Sequence, residues 1–180
     1  TLVCDKLKLE SKPINLTKWQ DMVTLFMSEL PTVNIAIVGK YTEVMDSYIS
    51  VIESIKHASL NNKYRAKISI VSSEDIEMMG AKDILKNFDG VVVPGGFGNR
   101  GIEGMILTAK YARENQVPYF GICLGMQIAV IEFARNVLKM EDADSREFKE
   151  QCSHKVIDFM PGQSDKIDKG GTLRLGSYPC

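Results

Sequence analysis

At 180 residues, 44% hydrophobic and 25% charged, the chain is long enough for one domain with a sizeable core, which excludes extended disorder. A net charge of -1 excludes a general attraction to nucleic acid or to anionic membrane surfaces, so partners have to be argued from sites. No run reaches the roughly 18 apolar residues of a membrane span, and the start "TLVCDKLKLE" lacks the layout of a signal peptide, so a cytoplasmic protein is expected. Cys4, Cys123, Cys152 and Cys180 are irregularly spaced, with neither a zinc-type pair nor a disulfide framework, and each is judged alone.

Residues 1–31 read as a lead-in from an upstream domain. They hold one helix from about Thr17 to Glu29, with Thr17 as N-cap and Pro31 after its end. From residue 32 to 180 the pattern is that of one domain, cut short at its C-terminal end. "VNIAIVG" (33–39) is a β-branched apolar run, and the helix after it places Tyr48, Val51, Ile52, Ile55, Ala58 and Ser59 on one face. "AKISIVS" (66–72) alternates like a half-buried strand, "AKDILKN" (81–87) suits a short helix, and "DGVVVPGG" (89–96) is a continuous apolar run ending in glycines. "IEGMILTAKYAREN" (102–115) puts Ile102, Met105, Ile106, Ala109 and Ala112 on one stripe. "VPYFGIC" and the helical "MQIAVIEFARNVL" follow, then a strand in "KVIDFM" and a flexible "PGQSDKIDKGG" (161–171). Alternating strands and helices predict an α/β fold: an open, mostly parallel, doubly wound sheet with helices on both faces and the continuous apolar runs as central strands.

In such a sheet ligands bind beyond the carboxyl ends of the strands, which singles out "PGGFGNRG" (94–101) and "GICLG" (121–125). Gly96, Gly98 and Gly101 spell G-x-G-x-x-G, but the strand that follows ends in a thiol and offers no carboxylate for a ribose, which weighs against a dinucleotide site. Turn formation accounts for Gly98 and Gly101, whereas consecutive Gly95 and Gly96 suggest bare backbone close to a ligand. The second loop has the spacing of a nucleophile elbow, a sharp strand-to-helix turn that exposes its central residue. A structural cysteine needs no flanking glycines; a nucleophile here gains a helix N-terminus for its thiolate and the next N–H for an oxyanion.

"VPGGFGNRG" followed by "GICLGMQ" resembles the class I (triad-type) glutamine amidotransferases. "GKYTEVMDSYISVIESIKHA", "EDADSREF" and "GGTLRLG" narrow the resemblance to the glutaminase domains of the CTP synthases, and "CDKLKLE" is similar to the segment that joins the synthetase and glutaminase domains of that family. The resemblance implies that Cys123 attacks the side-chain amide of glutamine and that the N–H groups of Gly96 and Leu124 hold the oxyanion. It implies a glutamine-binding turn at Gly125, Met126 and Gln127, and a substrate-binding glutamate at Glu147, which without the resemblance reads as a solvated surface charge.

It further implies a synthetase domain outside this chain that uses ATP with Mg2+ and UTP, GTP as an allosteric activator, and a homo-oligomer (a tetramer) at full length. No metal site is expected here, and "VGK" at 38–40 lacks the rest of a phosphate-binding loop. The family's general base is a histidine oriented by a glutamate, downstream of "GGTLRLG". Neither His57, inside a helical run, nor His154, before a strand, lies in that motif, so neither is assigned the role. Two alternatives stay open: the glutaminase unit of another class I amidotransferase, and a glutamine-binding fragment without turnover.

Overall fold

The computed structural model describes residues 2–10, 13–42 and 45–159. Its main sheet is parallel throughout: β1 (Thr32–Gly39), β2 (Arg65–Ser72), β3 (Gly90–Val93) and β4 (Tyr119–Gly121) stand in the order β2-β1-β3-β4. Ile37 lies beside Ile70 on one side and Val92 on the other, and Val92 beside Phe120. The apolar runs predicted to be central, β1 and β3, are the inner strands, and every residue of β3 is buried. That is the α/β, doubly wound arrangement expected from the sequence.

Helix α3 (Ile49–Asn61) covers one face, where Tyr48, Val51, Ile52 and Ile55 close over Ile37 and Val92. The expected apolar stripe holds as far as Ile55 and then shifts: Ala58 is exposed, and the last turn buries Leu60 instead. Leucine removes more apolar area from water than alanine. A 3-10 turn at Met45–Tyr48 precedes this helix and delivers the Tyr48 ring.

The other face carries α4 (Ser73–Met79), α5 (Ala81–Leu85), α6 (Ile102–Glu114) and α7 (Leu124–Asn136) around Ile76, Leu85, Met105, Ile106, Ile128 and Ile131. All five residues of the predicted α6 stripe are buried. Helix α4 was not anticipated, because "SEDIEMM" offers little apolar periodicity. It forms because the Ser72 hydroxyl accepts the Asp75 N–H at 3.4 Å and Gly80, at φ 87°, ends it.

Helices α1 (Leu2–Leu7) and α2 (Thr17–Met27) precede the sheet. Two expectations are corrected here. Thr17 is the first helical residue and not the N-cap, since Asn15 Oδ1 accepts its N–H at 3.0 Å and Leu16 occupies the cap position. The helix also stops at Met27, two residues early, where the Ser28 N–H turns back to the Leu25 carbonyl at 3.2 Å. Arg65 ties this end to the sheet by donating to the Phe26 and Ser28 carbonyls at 2.9 and 3.1 Å. Trp19, Val23 and Phe26 remain exposed.

Beyond α7, β5 (Asp144–Ser145) and β6 (Lys155–Ile157) form a separate parallel pair. The runs "PGQSDKIDKGG" and "GGTLRLG" lie outside the described residues. Among the described residues, no helix is long and apolar enough to cross a membrane.

Helices α6 and α7 are joined by Arg113, whose Nε and Nη2 grip both oxygens of Glu132 at 2.7–3.1 Å. Glu132 is only 2% exposed, so its charge depends on that cation. Arg113→Met is expected to lower unfolding free energy by about 3 kcal/mol in urea titrations, and adding Glu132→Leu to recover most of the loss, because the second change removes the stranded carboxylate.

Candidate active site

Strand β4 ends at Gly121 and α7 begins at Leu124, leaving two residues to reverse the chain. Cys123 takes φ 53° and ψ -104°, a conformation that costs a side-chain-bearing residue about 1–3 kcal/mol. The surroundings enforce it. A Cβ on Gly125 would run into the Val93 carbonyl oxygen, and one on Gly121 would meet the Gly125 carbonyl and sit 2.6 Å from the Met126 nitrogen. The Ile122 N–H donates to Val93 O at 2.9 Å, and the Met126 and Gln127 N–H groups converge on the Cys123 carbonyl at 3.1 and 3.2 Å. That carbonyl is thereby turned into the helix and the thiol is left exposed. Below the turn, the Tyr119 hydroxyl donates to the Gly125 carbonyl at 2.7 Å; burial, reinforced by the Glu132 charge, raises its pKa so that it remains a donor.

The glycine loop closes over this turn. A Cβ on Gly95 would lie 3.6 Å from the Cys123 Cβ, and one on Gly96 3.4 Å from Leu124 Cδ2, so the two loops predicted to meet at the carboxyl edge of the sheet do so. Among the described residues, neither the Gly96 nor the Leu124 N–H donates to a backbone acceptor. Leu124 and Gly125 are buried, Gln127 is half-buried and Met126 is 52% exposed. Gly98 and Gly101 have φ of 78° and 68°, and Gly101 opens α6.

Lys40, one residue beyond β1, underpins the loop. Its Nζ donates to the Phe97 carbonyl at 3.3 Å and to the Gly98 carbonyl, while Arg100 Nη2 returns to the Lys40 carbonyl at 2.9 Å. The Glu147–Phe148 turn meets the same lysine: Nζ stands 6.0 Å from the Phe148 ring centroid, and Asn99 Nδ2 donates to the Phe148 carbonyl at 3.3 Å. Glu147 is half-buried. Lys40 is only 4% exposed, and its pKa falls from 10.5 to about 8. Burial is the main cause; the carboxylates of Glu147 and Glu77 oppose it and the charge of Arg100 adds to it.

Both histidines lie elsewhere. His57 is exposed on α3, and His154 Nδ1 sits 2.5 Å from Asp142 Oδ1, joining the segment just before β5 to the residue just before β6.

The family model for glutamine amidotransferase class-I matches residues 43–172. The chain belongs to the class I glutamine amidotransferase family. Among curated relatives, the amidotransferase chain is 50% identical over 179 residues to the CTP synthase of Bacillus velezensis and 51% identical over 179 residues to that of Clostridium kluyveri. Each alignment takes in 99% of this chain and 34% and 33% of the respective relative, so the chain spans about a third of their length. Among solved structures it is similar to the Trypanosoma brucei CTPS glutaminase domain with bound acivicin, at 43% identity and a TM-score of 0.67, over 74% of this chain and 52% of that one.

Sequence reading located both loops of this amidotransferase but passed over Lys40, which it considered only as a failed phosphate-binding lysine. The available signal was a lysine directly after an apolar central strand, where a cation needs internal acceptors. Arg135 and Asp144 were passed over as well.

Two expectations follow from the geometry. Gly125→Ala is expected to cost about 3 kcal/mol in urea unfolding because its methyl would meet backbone, whereas Gly98→Ala, with open space around it, costs only the left-handed strain of about 1 kcal/mol. Between pH 8 and 10.5 the unfolded Lys40 holds a proton that the folded one has released, so stability contributed at this site rises with pH. Unfolding of wild type and Lys40→Met across that range should show wild type gaining on the variant as pH rises.

Proposed function

We propose that this chain is the glutamine-hydrolysing domain of a CTP synthase, with Cys123 as nucleophile. The Cys123 sulfur forms a bond to the side-chain carbonyl carbon of glutamine, and the C–N bond breaks as the nitrogen gains a proton and leaves as ammonia. Water then cleaves the γ-glutamyl thioester, releasing glutamate and the free thiol. The negative oxygen of each tetrahedral intermediate sits between the N–H groups of Gly96 and Leu124, where one donor is worth on the order of a hundredfold in rate. Gly125, Met126 and Gln127 form the turn against which glutamine lies, and Glu147 pairs with its ammonium group. No histidine of this chain is assigned as the base.

The observation that carries the reading is the exposed thiol at a strained strand-to-helix junction, facing bare backbone from a second loop. The similarity to CTP synthases extends it to the whole protein. In that reading residues 1–31 lead in from a synthetase domain and residues 32–180 belong to the amidotransferase domain. The partner domain uses ATP and Mg2+ to phosphorylate the uracil oxygen of UTP, and ammonia displaces the phosphate to give CTP. GTP activates the enzyme, which works in the cytoplasm as a homo-oligomer. The likeness to a glutaminase domain with bound acivicin supports glutamine as the ligand of the thiol loop.

In the full-length protein, Cys123→Ser is expected to abolish CTP formation from glutamine and to leave formation from added ammonia intact. Loss of both activities, or retention of both, would refute the division of labour. Acivicin should label wild-type Cys123, detected by mass spectrometry, and glutamine should protect it; labelling indifferent to glutamine would count against the assignment.

A further inference from the structure

The turn that carries Glu147 is fastened to the helix that carries Cys123, and one arginine makes the connection. Arg135, in the last turn of α7, donates from Nε to the Ala143 carbonyl at 2.7 Å and from Nη2 to Asp144 Oδ2 at 2.8 Å. Its Nη1 donates to both oxygens of Glu103 on α6, at 2.9 and 3.1 Å. The other Asp144 oxygen, Oδ1, accepts the Ser145 N–H at 2.8 Å, and Ser145 Oγ accepts the Glu147 N–H at 3.2 Å. The Ser145 carbonyl then receives the Phe148 and Lys149 N–H groups, both at 3.0 Å. Asp144 and Ser145 are 6% and 2% exposed, so water competes little for these bonds.

We infer that Arg135 and Asp144 are positioning residues that fix the Glu147 carboxylate relative to Cys123; this rests on the proposed pairing of Glu147 with the substrate ammonium. The rigid body between the two ends is α7 itself, 13 residues long, with Cys123 at its N-cap and Arg135 in its final turn. A carboxylate pairs well with an ammonium only at close range, so a displaced turn weakens glutamine binding. The thiol and the backbone donors, held by β3, β4 and the first turn of α7, are untouched.

The effect should therefore fall on KM and spare kcat. In the full-length enzyme, Asp144→Asn is expected to raise KM for glutamine about tenfold, with kcat within about twofold of wild type and the rate of Cys123 alkylation by iodoacetamide unchanged. Arg135→Lys keeps the cation but not the three-way fork, and should move KM in the same direction by a smaller factor. It carries the test should Asp144→Asn fail to fold. In a Glu147→Gln background, which itself should raise KM, Asp144→Asn should add little, because both changes remove the same contact.

An equal loss of kcat in both positioning variants, or a KM increase of the same factor with and without Glu147, would mean a merely structural role and would overturn the inference. An unchanged KM in both positioning variants alongside a raised KM in Glu147→Gln would overturn it as well. An unchanged KM in Glu147→Gln would instead refute the underlying assignment of Glu147.

Discussion

The start of α7 passes so close to the ends of β3 and β4 that no side chain fits between them. Gly125 lies against the Val93 carbonyl, Gly121 lies against Gly125, and between them Cys123 must accept a positive φ of 53°. Loosening this contact would relax the turn, and the thiol would swing toward an ordinary helical position. The energy that holds the strain comes from the core beneath, where Leu124, Ile128 and Ile131 are buried against Val91 and Val93. A parallel sheet suits this purpose because all its strands end at the same edge, so β1, β3 and β4 deliver Lys40, the glycine loop and Cys123 to one place.

Around that fixed point the site is assembled from backbone more than from side chains. Bare peptide units at Gly95 and Gly96 come within contact of the Cys123–Leu124 turn, and these two residues have no side chains to anchor that part of the loop. Lys40 supplies an anchor by donating to carbonyls of that loop from below. The cost is a buried ammonium with a depressed pKa, which two carboxylates offset only in part. An uncharged residue there would avoid that cost but would leave the loop carbonyls without their donor.

Much of this arrangement could be read from the residues themselves. Continuous apolar runs identified β1 and β3, alternation identified β2, and a 3.6-residue stripe identified the buried face of α6, because burial on one face or on both leaves a different pattern in the sequence. The glycines of "PGGFG" and "GICLG" were legible because close backbone contact leaves few alternatives at those positions. Helix α4 was not, since a helix with one fully buried aliphatic is stabilised by its caps and neighbours and leaves little trace in a hydropathy pattern. Thr17 was misread for a related reason: Asn15, two residues earlier, captured the N–H of Thr17 and moved the helix start.

By itself the sequence determined the α/β order of elements, the inner strands and the exposed cysteine between two glycines, because these depend on local periodicity and steric exclusion. Only the tertiary structure decided that Lys40 reaches residues 97 and 98, and that Arg135 ties Ala143, Asp144 and Glu103 into one anchor for the Glu147 turn. A charged side chain looks much the same in a sequence whether it is solvated or buried. Its role is set by which acceptors the packed strands and helices bring within its reach, and most of these come from distant parts of the chain.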